Sequence, residues 1–368
     1  MSARMFWLGL FGSAAFLVVF VVLFVDFKTI RGVLADANYI YVVPATALYF
    51  VAVYFRAMRW KFLLKPLIGR PKRGIFPVVV VGYAANNLIP VRIGEVVRSY
   101  YLSVREKTSV AGAFGTIAVE RAADVVVLLF FLVVAWIFLP LGDTFDSLAQ
   151  QTPGGAPVLA VAALLPFILV TGAVLTLTLI SNDSALKVAA ALLSPLPERA
   201  RLMALGLVAR LLEGLTVVRS PAGLARLFAL SLPVWAAEAA MYFTIAQGFE
   251  IQAEGASQGS LIALVLVFTA AANLAGIIPS SAGSWGPFDF FGAAALVSAG
   301  VDSAVASAFA LAVHVALWVP PTVLGIVILM VDGTSLRGLL KKSTIEKPDK
   351  GAAIVVVDSA PANGVTPR

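Results

Sequence analysis

NNLIPVRIGEVVRSYYL, residues 86–102, interrupts a chain that otherwise reads as membrane interior. Two arginines, a glutamate and two asparagines sit between short apolar stretches, Phe76 to Ile89 before the break and onward to about Val104 after it. Pro90 removes a backbone donor and Gly94 loosens the helix, so a continuous helix is not expected here. Non-helical backbone survives at membrane depth only where protein or a water-filled cavity receives it. The stretch therefore predicts a hairpin that enters the bilayer and turns back.

Composition places that hairpin in a membrane protein. Hydrophobic residues make up 60% of the 368-residue chain and charged residues 13%, against about a quarter charged in soluble domains. There is no cysteine and one histidine, His314, so neither a thiolate nor a histidine metal centre is expected, and no cofactor is called for. The excess of Lys and Arg lies in loops. There it sets topology and meets anionic headgroups rather than nucleic acid.

Charge asymmetry then counts the crossings. Phe6 to Val25 reads as a retained helix and about 39–55 as a second span. The acid-free cluster Arg56, Arg59, Lys61, Lys65, Arg70, Lys72 and Arg73 reads as a cytoplasmic loop, which puts the amino terminus inside too. The acidic stretch 143–155 reads as external, with the helix at about 109–140 supplying the one crossing before it. The region 76–104 must then enter and return. A span at about 157–180, basic residues across 187–226, a span from Leu224 to Gln247 and the acidic FEIQAEGASQ at 249–258 repeat the alternation. The helix at about 304–331 leads to a basic tail, so 260–300 enters and returns as well, although Ser260 to Ile278 is long enough to span alone. The expected fold is all-α and polytopic: six full transmembrane helices and two re-entrant hairpins, both termini cytoplasmic, in the cell's inner or plasma membrane. Helices at about 183–223 are expected along the inner surface, and 336–368 as a disordered tail.

AANNLIP (84–90) and AANLAGIIP (271–279) match at the two turns, and VAGAFG (110–115) matches VASAFA (305–310) at the start of the long helix after each. This predicts inverted halves at about 1–140 and 157–331 within one domain, 1–335, the arrangement of many transporters.

The candidate site residues follow from depth. Asn86, Asn87, Arg92, Glu95 and Arg98 lie at the tip and returning arm of the first hairpin. The positive end of that arm, with two arginines beside it, suits an anion such as phosphate; alternatively Glu95 and Arg98 pair with each other across i,i+3. IPSSAGSWGPFDF (278–290) gives the second hairpin a tight turn at Gly283, Ser284 and Gly286, with Pro287 and Asp289 opening a returning helix. An ordinary surface loop, with Trp285 and Phe288 as interface anchors, fits the same residues. In VERAAD (119–124), Glu120, Arg121 and Asp124 fall ~10–15 Å inside the bilayer, where Glu120 is expected to pair with Arg92 or Arg98 or to act in function. Glu238 and His314 fall near mid-depth, each as a cavity-lining or a packing residue. Arg59 and Trp60 read as a snorkelling arginine with its aromatic anchor.

These motifs, RAMRW (56–60), NNLIPVRIGE with Arg98 following, the VER–D pattern and the turn at 279–289, together resemble the membrane region of the lysylphosphatidylglycerol synthases, a flippase-like family. The resemblance covers roughly 1–330. The second turn departs from the family at Ala282, Ser284 and Asp289, where proline, glycine and glutamate are usual. The family's fused members carry a soluble aminoacyl-transferase domain with no counterpart here, so aminoacyl-lipid synthesis, and enzyme activity generally, is not expected. The resemblance implies translocation of a phospholipid or polyprenyl-phosphate-linked headgroup, partners among anionic membrane lipids and a lipid-modifying or glycosyl-transferring enzyme, and leaves a homodimer open. No GxxxxGK[ST] motif is present, so the driving force is not nucleotide hydrolysis at such a site. The alternatives are an ion-coupled transporter of a small anion and an intramembrane enzyme acting on a lipid phosphate through Glu120, Asp124 or Glu95.

Overall fold

The computed structural model describes residues 27–71, 74–89, 93–138, 181–195, 197–214, 216–249, 258–276 and 282–334, with isolated positions 155, 172, 251, 336, 338 and 339. The spans expected at 6–25 and 157–180, the loop at 143–154 and most of the tail lie outside them. The described residues are helical, with no strand among them. In chain order the helices of ten residues or more are α1 (Phe27–Asp36), α2 (Val42–Leu63), α3 (Phe76–Leu88), α4 (Gly94–Glu106), α5 (Val110–Phe138), α6 (Asn182–Leu192), α7 (Glu198–Gly214), α8 (Pro221–Gly248), α9 (Gln258–Ala275), α10 (Pro287–Ser298) and α11 (Ser303–Val331).

Among the described residues three helical stretches are long and apolar enough to cross a membrane: Tyr39–Leu63, Pro221–Gly248 and Ser303–Val331. α5 has 29 residues as well, and carries its charges in its first half. Residue types are separated by face on the last helix. On α11 an i,i+4 stripe of valines, Val315, Val319, Val323, Val327 and Val331, is exposed, whereas Ala306, Ala310, His314 and Thr322 are buried. Small and polar residues inside with branched apolar residues outside is the pattern that lipid solvent rewards.

Local signals explain the element ends. Ser220 and Asp302 accept hydrogen bonds from the first turns of α8 and α11, as N-caps do. α3 and α4 are 13 residues each, about 20 Å at 1.5 Å per residue. They pack side by side. Gly94 makes this possible, because a Cβ there would collide with the Gly82 carbonyl and the Asn86 side chain. α9 and α10, of 18 and 12 residues, form the corresponding pair.

The contacts between helices follow a pattern. α2 packs on α8; α3 on α11 and α9 on α5; α4 on α5 and α10 on α11; α2 on α3 and α8 on α9; α1 on α11 and α7 on α5. Exchanging α1–α5 for α7–α11 returns the same set of packed pairs.

One boundary differs from expectation. Charge pattern ends the second span at about 55 and assigns Arg56 and Arg59 to a cytoplasmic loop. Instead α2 continues to Leu63 and both arginines are buried. Carboxylates on α5 and α8 compensate them, so the charges do not mark an interface.

Candidate functional site

Four helices bring seven charged side chains into one buried cluster. Arg56 and Arg59 are three apart and Glu120 and Asp124 four apart, so each pair shares a helix face. Arg98 comes from α4 and Glu238 from α8. Arg59 Nη1 donates to Asp124 Oδ1 at 2.6 Å and to Ser231 Oγ at 2.9 Å, with Nη2 3.4 Å from Glu120 Oε1. Arg98 grips both oxygens of Glu120 at 2.9 and 3.0 Å. Arg121 Nη2 reaches Glu120 Oε1 at 2.9 Å and Asp124 Oδ2 at 3.2 Å. Arg56 pairs with Glu238 and lies 3.8 Å from Asp124 Oδ2.

The surrounding aromatics complete the network. The Arg98 guanidinium lies 3.7 Å over the Trp60 ring and that of Arg56 4.6 Å over Trp235. Trp60 Nε1 donates to Thr116, and Trp235 Nε1 to Asp124 Oδ1. Glu238 accepts from the Tyr242 hydroxyl, which in turn accepts from Asn273 on α9. Four guanidinium groups thus face three carboxylates, an excess of one positive charge. Isolated, such charges are too costly for a membrane interior; paired and hydrogen-bonded, they are sustainable. Arg121 is the member that remains partly open, its side chain 38% exposed while Glu120 is fully covered.

Arg121 opens onto a cavity of about 510 Å³ that both helix breaks line. Asn87 and Glu95 contribute from the first break, Gly283 and Ser284 from the second, and Tyr83, Asp124, Glu238, His314 and Trp318 from the walls. The Tyr83 hydroxyl and the Nε of Arg121 are buried without a hydrogen-bond partner among the described residues. A smaller space of about 110 Å³ is walled by Asn86, Gly94, Glu95, Arg98 and Arg121 on one side and Gly283 and Ser284 on the other.

The second break is tightly built. Gly283, Ser284 and Gly286 have φ of +74°, +64° and +101°. A Cβ on Gly283 would stand 2.7 Å from the Trp318 ring. Pro287 opens α10, and buried Asp289 turns back to accept from the Gly286 N–H at 3.0 Å. His314 bridges Asp289 Oδ1 and the Gly283 carbonyl, 2.8 Å from each, beneath the stacked ring of Trp285 at 4.0 Å.

Several expectations change. Arg92, and Pro90 beside it, lie outside the described residues. Arg98 bonds Glu120, one of the two partners expected for that acid, rather than Glu95. The asparagines are engaged with protein: Asn86 accepts from the Gly94 N–H at 2.6 Å, and Asn87 donates to Trp318 O and Thr322. The amino ends of α4 and α10 therefore each have an N–H satisfied internally, by Asn86 and Asp289, and the exposed cation is Arg121 on α5. Arg59 and Trp60 are fully buried and not interface anchors. Trp285 and Phe288 contact His314 instead of a membrane surface. Arg56, Tyr83, Trp235 and Asn273 join the site without having been singled out. The signal for Arg56 was its i,i+3 spacing to Arg59 at the end of an unbroken apolar run.

A family model described as "Lysylphosphatidylglycerol synthase TM region" matches residues 6–325. A UPF0104 membrane protein of Methanocaldococcus jannaschii is 32% identical over 137 residues, covering 32% of this chain and 41% of the relative. A UPF0104 membrane protein of Methanothermobacter thermautotrophicus is 33% identical over 111 residues, 29% of this chain and 33% of the relative. A protein named glycosyltransferase AglD, from Haloferax volcanii, is 30% identical over 103 residues, 28% of this chain and 16% of that protein. The matched stretches thus span less than half the length of each relative. No solved structure matches. With a match across nearly its whole length, the chain belongs to the lysylphosphatidylglycerol synthase transmembrane-region family of membrane proteins.

Proposed function

We propose that the protein translocates a lipid headgroup bearing a phosphate, on a phospholipid or a polyprenyl-phosphate-linked lipid, through the cavity between the two helix breaks. The observation that carries this reading is the shared cavity: residues from both breaks line it, and Arg121 presents its guanidinium there. A guanidinium held by Glu120 and Asp124 keeps its remaining donors in a fixed fork, suited to a phosphate.

The pairs α3–α4 and α9–α10 act as re-entrant hairpins. Their arms, about 18–27 Å long, fall short of a ~30 Å hydrocarbon core. The exchange-invariant packing supports two inverted halves, about 1–140 and 157–331, meeting at the midplane in one domain. Six spans, of which those at 6–25 and 157–180 rest on sequence, then put both termini in the cytoplasm of an inner-membrane protein. α6 and α7 lie along the inner surface with Val188, Leu192, Leu202 and Leu207 exposed to acyl chains. The relative named glycosyltransferase AglD supports a glycosyl-transferring or other lipid-modifying enzyme as partner.

The test is reconstitution into proteoliposomes with headgroup-labelled phospholipids and polyprenyl phosphates. The expected result is transfer of at least one phosphate lipid between leaflets, slowed about tenfold or more in Arg121→Gln, as loss of a charge-assisted hydrogen bond worth about 1.5–3 kcal/mol requires. Failure to move any such lipid, or a variant as fast as the parent, overturns the reading. Uptake of free phosphate without lipid transfer assigns the cavity to a soluble anion instead.

A further inference from the structure

The site at the second break holds a proton that its hydrogen bonds require. His314 is the sole histidine of the chain, buried on α11, and each ring nitrogen touches an acceptor at 2.8 Å. The Gly283 carbonyl can only accept, so Nε2 carries a hydrogen. Were Nδ1 then bare, its lone pair would confront that of the Asp289 carboxylate. The pair therefore carries one proton beyond a neutral imidazole and a carboxylate, either on Nδ1 or on Asp289 Oδ1. The other oxygen of Asp289 is engaged by the Gly286 N–H at 3.0 Å.

Removal of that proton leaves one imidazole hydrogen for two acceptors. A carboxylate outcompetes a carbonyl, since charge-assisted hydrogen bonds are roughly twice as strong as neutral ones. The remaining hydrogen goes to Nδ1, facing Asp289, and Nε2 turns a lone pair toward the Gly283 oxygen. The lost contact is the one that holds the turn. Gly283 and its neighbour Ser284, both at positive φ, are the residues through which the second break lines the cavity.

We propose that Asp289 and His314 form a proton-bound latch: the shared proton pins Gly283, and its departure to water in the cavity frees the turn and reshapes the cavity wall. No other bond is made or broken. Other ionisable groups share the cavity with His314, namely Tyr49 and Arg56 on α2, Tyr83 on α3, Glu95 on α4, Arg121 and Asp124 on α5 and Glu238 on α8, and α1, which packs on α11, carries Arg31 and Asp36. Among the described residues Asp289 alone of the titratable groups lies within hydrogen-bonding distance of the imidazole. The latch makes the second hairpin sensitive to the proton, whatever the cavity carries.

Composition makes the test unusually clean. Full-length protein grown with isotope-labelled histidine and purified through a histidine-free tag gives nitrogen resonances from one imidazole. The expected result is loss of a single proton as pH is raised, with the remaining ring hydrogen moving from Nε2 to Nδ1. Asp289→Asn should abolish the step. Its carboxamide donates to a bare Nδ1 while still accepting from Gly286, so a neutral ring with its hydrogen on Nε2 stays bonded to Gly283. Ser284→Cys, the sole thiol in an otherwise cysteine-free chain, carries a nitroxide expected to be immobile below the step and mobile above it. A wild-type ring that is neutral with Nδ1 bare throughout, or one that never titrates, overturns the latch. So does an Asp289→Asn variant that keeps the step, or a nitroxide indifferent to it. Neither readout involves a transported lipid, so the latch and the headgroup proposal stand or fall separately.

Discussion

The Arg98 guanidinium closes on the Glu120 carboxylate through two parallel hydrogen bonds of 2.9 and 3.0 Å, locking α4 to α5. The two partners are not equivalent. Glu120 also serves Arg59 and Arg121, whereas Arg98 has Glu120 as its only ion-pair partner among the described residues. Glu120→Leu therefore takes a partner from three cations, leaving Arg98 with none and Arg59 and Arg121 with Asp124 alone, and an expected loss of about 3–5 kcal/mol follows. Arg98→Met leaves Glu120 with two cations and should cost clearly less. Unfolding of the detergent-solubilised variants measures both, and equal losses would contradict the hub role of Glu120.

Close approach of α3 and α4 rests on Gly94. Gly94→Ala drives a methyl into the Gly82 carbonyl and Asn86, an overpacking expected to cost about 1–3 kcal/mol. Gly32→Ala on α1 meets nothing within 4 Å and gains helix propensity instead, by up to about 1 kcal/mol. The pair of melting curves should shift in opposite directions; a neutral Gly94→Ala would mean the arms lie further apart.

Re-entry makes a prediction about sidedness. Lys65 follows α2 and Lys107 ends α4, so single cysteines at both should react with an impermeant thiol reagent from the cytoplasmic face. Cysteines replacing Ala37 and Ser298 should react only from the other face. Labelling of Lys65→Cys and Lys107→Cys from opposite faces would mean that the first hairpin threads through.

The ends of α3, α4 and α10 were legible because their causes are local. Pro90, Gly94, Gly286 and Pro287 favour helix ends, and these helices begin or end within a few residues of them. The shared face of Glu120 and Asp124 was legible from a four-residue interval. The cations that hold them were not. Arg59 meets Asp124 across 65 residues of sequence and Arg56 meets Glu238 across 182. Counting positive charge treats arginines as interface markers, which fails once distant carboxylates neutralise them inside. The unpaired acids were the clue: Glu120, Asp124 and Glu238, buried in apolar helices, each demanded a cation nearby. Which cation remains exposed depends on how α4 and α5 pack, and that is not written in any single stretch.

Most direct is a test that plugs the cavity. Ser284→Cys, placed at the second break where it faces the first, is reconstituted with a labelled phosphate lipid and treated with a bulky thiol reagent. Transfer between leaflets should proceed before modification, stop after it, and return when a reducible adduct is cleaved. Unchanged transfer with the thiol fully modified would show that lipid headgroups do not pass between the two breaks.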